Sequence, residues 1–170
     1  LLCAAIISDT LLFRSPTCTE MDKRTAEKLA GIAGIVLEDL AAEMFNAGSN
    51  LKGKSAKEIC FQDFKQFTVG DTVFGVGQIN SMSSDELEDI KKKLLSYLDQ
   101  AREEHKLNMV YFMLTHILHE STELLCSGAG ARETVLEAFE LPEDMDPVVL
   151  RGVVSRKKQL IPALVSALQQ

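Results

Sequence analysis

Tryptophan is missing from the 170-residue chain, and aromatic residues make up only 6% of it. A platform that stacks single-stranded bases needs such rings, so that class of function has little material here. An excess of positive charge is missing as well. Twenty-five acidic residues against 18 basic ones give a formal net charge of −7 and a pI near 5.0, whereas a general nucleic-acid binder carries a basic footprint. No apolar run approaches the roughly 20 residues that span a bilayer, which excludes a membrane protein of that kind. The opening LLCAAII has no basic segment before it and no small-residue cleavage site, so it is not a signal peptide. With no initiator methionine, the chain reads as beginning inside a structural element, as a fragment does. The four cysteines, Cys3, Cys18, Cys60 and Cys126, contain no CxxC pair. Scattered thiols suit a reducing compartment, which places the protein in the cytoplasm.

What is present suggests one domain with a sizeable core, or a domain plus part of another. LLCAAIISDTLLF is too short an apolar run to assign to helix or strand by periodicity. Thr19 can cap a helix ending at Gly31 and Gly34, with Met21, Ala26, Leu29 and Ala30 on its apolar face. A short helix follows in LEDLAAEMFNAG, and another turn in SAKEIC. FQDFKQFTV and TVFGVGQIN, separated by Gly70-Asp71, predict a β-hairpin. Ser83 and Glu86 predict a capping box for a helix continuing to Ala101. LNMVYFMLTHIL and STELLCSG read as strands, and ARETVLEAFEL as a helix. PVVLRGVVSRKKQ reads as a last strand running into a basic triplet, followed by a terminal helix with Pro162 in its first turn. The expected fold is α/β, a mixed sheet flanked by helices.

Several residues are candidates for chemistry. Arg156, Lys157 and Lys158 stand in a row in an acidic chain, at a strand-to-helix junction where α/β folds place ligand groups. An arginine there offers a planar fork for phosphate oxygens, and lysines add point charge; a solvated turn is the plainer alternative. Asp9, set closely between apolar residues, is costly to bury unless paired or metal-bound, although Asp is also common as a cap. His116 and His119 would point to opposite faces if both lay in one strand, and so would not converge on a metal. The glycines of FGVGQIN match neither dinucleotide nor P-loop spacing.

Taken together, SDTLLFRSPTCTEMD, DFKQF and GVVSRKKQLIP resemble, in order and spacing, the C-terminal half of the family II, manganese-dependent inorganic pyrophosphatases of the DHH phosphoesterase superfamily. The resemblance implies that residues 1–18 end a DHH domain and its linker, and that 19–170 form a DHHA2 substrate-binding domain. It implies Asp9 as a metal ligand, Lys65 as a substrate contact, and Arg156 and Lys157 as the grip on phosphate oxygens. It further implies pyrophosphate as substrate, Mn2+ as cofactor with Co2+ or Mg2+ as alternatives, and a partner in the missing N-terminal DHH domain. The full-length protein would be a homodimer and the fragment a monomer. The His- and Asp-rich motifs of that upstream domain are absent, since His105, His116 and His119 do not occupy them, so the isolated chain is expected to be inactive. The rival expectations are a stand-alone phosphate- or polyphosphate-binding regulatory module, and an exopolyphosphatase.

Overall fold

The computed structural model describes residues 1–48, 51 and 53–169. Three helices open the chain: α1 (Leu2–Thr10), α2 (Glu20–Ala33) and α3 (Leu37–Gly48). After α4 (Ala56–Cys60) come strands β1 (Phe64–Val69) and β2 (Thr72–Ser81), helices α5 (Ser84–Leu95) and α6 (Leu98–Glu104), and strands β3 (Met109–His116) and β4 (Ser121–Ser127). Helix α7 (Ala131–Ala138), strand β5 (Val149–Arg151), a π-helical turn at Arg156–Leu160 and helix α8 (Ile161–Leu168) complete it.

The strands form one sheet in the order β1-β2-β3-β4-β5, with β2 and β3 parallel and the other pairs antiparallel. The sheet is therefore mixed, as expected. The β1–β2 hairpin turns at Gly70, whose φ of 55° lies in the region glycine tolerates best. In β3 the run Val110–Leu114 is buried throughout, without alternation. A central strand covered on both faces requires this. Val110, Phe112 and Leu114 pack with Ile90 and Leu94 on one face, while Tyr111 and Met113 pack with Val135, Leu160 and Leu164 on the other. The glycines of FGVGQIN serve this packing: a Cβ on Gly77 would lie 2.5 Å from the Phe112 ring.

The opening helices have a core of their own, in which Cys3, Ile7 and Leu12 meet Ala26, Ala30 and Ala41. Leu11, Ile117 and Val154 form a small apolar joint between this layer and the sheet. The boundary expected at residue 18 falls between α1 and α2, within the first of these clusters.

Four local expectations change. α2 runs to Ala33 and is closed by Gly34, with φ 65°, as expected, but Gly31 lies inside it, and Met21 is 72% exposed instead of joining the buried face. The Thr19 cap does form, as a reciprocal box with Asp22. The helix expected to reach Ala101 breaks at Ser96–Tyr97, where the Ser96 hydroxyl donates to the Lys93 carbonyl at 2.9 Å. Leu94 and Leu98 serve the same core across the break, so the apolar spacing ran through it. The Ser83–Glu86 box is half made: Glu86 N–H donates to Ser83 Oγ, but the Glu86 carboxylate takes the Ser81 hydroxyl instead. Finally, β5 is only three residues long, and the basic triplet lies inside the first helical turn after an irregular 152–155 segment.

Candidate functional site

One wall of the site grows from α1. Asp9 stands in its last turn, exposed, with no basic residue nearby in the helix. A carboxylate at the negative end of a helix is disfavoured, which makes its presence there notable. The chain then reverses through a single left-handed turn, with φ of 48°, 52° and 69° at Leu11, Leu12 and Phe13. Side chains in that conformation cost roughly 1–2 kcal/mol each. Burial of Leu11 and Leu12 offsets the strain. The Thr10 hydroxyl helps too, donating to the Ile6 carbonyl at 2.7 Å and accepting from Phe13 N–H at 3.2 Å. The reversal brings Ser15 and Thr17 back beside the helix end, where Thr17 Oγ1 donates to the Asp9 carbonyl at 3.3 Å.

The facing wall is the 152–160 segment, and Gln159 shapes it. Its Oε1 accepts from both Val154 and Ser155 N–H at 3.0 Å, and its Nε2 donates to the Gly152 carbonyl at 2.6 Å. Ser155 caps the turn by accepting from Lys158 N–H at 3.2 Å. This fold places Arg156 inward, nearly buried, and leaves Lys157 and Lys158 exposed. Arg156 Nη1 donates to the carbonyls of Asp63 (2.9 Å) and Val76 (3.2 Å), and Nη2 donates to Asp63 Oδ1 at 2.8 Å. The floor is the end of β2. Gln78 Nε2 lies 3.0 Å from both Asn80 Oδ1 and the Val154 carbonyl, tying the floor to the basic wall.

The result is a cleft of about 410 Å³ lined by Asp9, Ser15 and Thr17 on one side, Arg156 and Lys157 on the other, and Gln78 and Asn80 between them. Asp9, Arg156 and Lys157 thus meet at one opening. Lys65 does not line it. It pairs across the hairpin with Val76, whose carbonyl Arg156 engages, two residues from Asp63. Asp63, Gln78, Asn80 and Gln159 were missed as site residues. The signal for two of them was legible: Gln78 and Asn80 are polar at alternate positions in an otherwise apolar strand.

The histidines lie elsewhere. His119 sits in the turn after β3, not in the strand, so the two rings do converge, stacked 3.7 Å apart with planes 8° from parallel. His116 Nδ1 accepts from His119 N–H, and burial, then the neighbouring His119, hold its pKa below the ordinary value. Among the described residues, no three His, Cys, Asp or Glu side chains come together as a metal site. Asp9 by itself does not make up a metal cluster. Burial pushes the Cys60 and Cys126 thiols up to about 12, which leaves these two protonated at neutral pH.

Residues 42–167, which carry the mixed sheet and the basic helix start, match the DHHA2 domain, and the chain belongs to that family. The particular relatives are pyrophosphatases. The chain is 47% identical over 164 residues to the cobalt-dependent inorganic pyrophosphatase of Clostridium perfringens, covering 96% of this chain and 30% of that protein. It is 42% identical over 171 aligned residues to the manganese-dependent inorganic pyrophosphatase of Methanothrix thermoacetophila, covering 100% of this chain and 55% of that protein. A crystal structure of a Methanococcus jannaschii protein assigned to the family II inorganic pyrophosphatases matches with a TM-score of 0.84 at 36% identity, over 99% of this chain and 55% of that one. The chain therefore spans about half, or less, of the length of these relatives. Among the described residues no helix is long and apolar enough to cross a membrane.

Proposed function

We propose that this chain is the C-terminal, substrate-clamping part of a metal-dependent inorganic pyrophosphatase, which hydrolyses pyrophosphate to two phosphates when joined to an upstream metal-binding DHH domain. The observation that carries this reading is the single cleft in which Asp9 faces Arg156 and Lys157. Pyrophosphate is a compact polyanion. An arginine fork and a mobile lysine ammonium can neutralise it as negative charge moves onto the leaving phosphate. In this reading Arg156 and Lys157 bind phosphate oxygens, and Lys65 approaches from the neighbouring strand once the cleft is filled. A bound Mn2+ or Co2+ pair would supply water activation and charge neutralisation, with Asp9 as this chain's one ligand and the upstream domain completing the set.

Residues 1–18 belong, in this reading, to the end of the metal-binding part. Helices α2 and α3 share the core of α1, so we extend that part beyond residue 18 through α2, up to the start of the DHHA2 match at residue 42 within α3. The apolar surface exposed at Met21, Ile32 and Val36 supports a neighbouring domain on this side. We further read the joined protein as a cytoplasmic homodimer and the separate chain as a monomer.

The test is phosphate release from pyrophosphate in manganese buffer. The chain alone should release none above background, and the chain fused to an upstream DHH domain should turn over. Enzyme-rate release by the chain alone, or an inactive fusion, contradicts the reading. Faster release from tripolyphosphate than from pyrophosphate would move the substrate class to longer polyphosphates.

A further inference from the structure

The guanidinium of Arg156 presents five N–H donors in a fixed plane. Both Nη1 hydrogens are taken, by the Asp63 and Val76 carbonyls, and one Nη2 hydrogen is taken by Asp63 Oδ1. Among the described residues the Nε–H and the second Nη2–H have no partner. With the Asp63 carboxylate on the Nη2 hydrogen next to Nη1, these two share the opposite edge of the plane, the geometry of a bidentate fork for phosphate. Asp63 also holds the strand to which the fork is fastened, because its carbonyl accepts from Gln78 N–H at 3.1 Å. The Arg156 side chain is 10% exposed and that of Asp63 52% exposed. The arginine is therefore fixed from behind by a carboxylate that reaches to the surface.

We propose that Asp63 is a positioning residue: it grips one edge of Arg156 and so aims the remaining edge at the anion in the cleft. The proposal rests on the phosphate-clamp reading above and adds a residue to it. A long arginine side chain loses rotamer freedom on binding. A side chain already fixed has less to lose. Asp63 itself never touches the substrate, so its effect passes through Arg156 alone.

The experiment uses the 170-residue chain and sodium pyrophosphate, followed by calorimetry and by the Arg Nε–H signals in nitrogen-15 NMR. Asp63→Ala should weaken binding about tenfold, the scale of one lost hydrogen bond to a charged group, and Asp63→Asn should weaken it less. In an Arg156→Ala background, Asp63→Ala should change nothing further. In the ligand-free protein the Arg156 Nε–H signal should be narrow, and should broaden in Asp63→Ala while the remaining amide dispersion is kept.

An equal loss of affinity in the Arg156→Ala background overturns the proposal, since Asp63 would then act without the arginine. Tighter binding by Asp63→Ala also overturns it, because Asp63 would then be a competitor for Arg156 in place of a support. An Arg156 signal indifferent to Asp63 does the same. Absence of pyrophosphate binding by the parent chain, or binding unaffected by Arg156→Ala, overturns the clamp reading itself and the proposal with it. That outcome is distinguishable because Arg156, not Asp63, then fails.

Discussion

The two walls of the cleft are built on opposite plans. The basic wall is finished within the chain: Arg156 is nearly buried with three hydrogen bonds to main chain and carboxylate, and Gln159 fixes the segment around it with three more. The acidic wall is unfinished. Asp9 is exposed in the last turn of its helix, on a strained left-handed reversal, with no other metal-ligating side chains gathered around it among the described residues. Charges that are already partnered shape a binding site before any ligand arrives, whereas an exposed carboxylate at the negative end of a helix gains from a cation brought from elsewhere. The difference matches the division of labour in the proposed function, where this chain holds the phosphate grip and contributes only part of the metal site.

Substitutions at the two walls should therefore behave differently. Arg156→Ala should cost the most stability, about 2–3 kcal/mol, by removing three hydrogen bonds made by a nearly buried charged side chain. Asp9→Ala should stay within about 0.5 kcal/mol, as a surface change away from packing does. Urea unfolding of the two variants measures both, and equal losses would break the contrast. Gln159→Ala comes next, at about 1–2 kcal/mol, because two buried or half-buried N–H groups at 154 and 155 lose their acceptor. Lys157→Ala should leave the unfolding midpoint in place while weakening pyrophosphate binding, so that a fall in thermal stability without a fall in affinity would make this exposed lysine structural.

The smallest effect sits outside the cleft and sharpens the comparison by serving as a control. Burial, and then His119, disfavour the proton on His116 in the folded state. The unfolded chain therefore binds more protons near the ordinary value of 6.5, and stability rises with pH there. The contribution is present above that value and lost as pH falls through it. Charges facing the pair come from Glu88 and Glu123, which line the same cavity, and from Lys91, paired to Glu123 at 2.6 Å. His116→Gln should flatten the decline in melting temperature between pH 7 and pH 5, and an unchanged slope would remove the pair as its cause.

Much of the fold was legible because local signals agreed with the global answer. Gly70-Asp71 marked the hairpin, Thr19 marked a helix start, and the apolar run LNMVYFMLTHIL marked the strand β3. What was illegible depends on long-range contacts. Leu11, Leu12 and Phe13 have no preference for positive φ, and the reversal exists because two separate cores bury Leu11 and Leu12. The break at Ser96 hides behind continuous apolar spacing. Asp63 meets Arg156 only because the sheet brings β1 beside the start of the last helix, and no spacing rule carries information across such a separation. The motif around Arg156 announced a cationic site, but not that its arginine is held from behind or that its glutamine folds the loop.

The most direct measurement is a calorimetric titration of sodium pyrophosphate into the metal-free chain, run beside Arg156→Ala and Asp9→Asn. If the chain is a phosphate clamp whose metal ligands lie mostly elsewhere, the parent chain binds, Arg156→Ala binds far more weakly but measurably, and Asp9→Asn binds as well or better because it removes a like charge facing the anion. Binding that is undiminished in Arg156→Ala and disappears in Asp9→Asn would contradict that account.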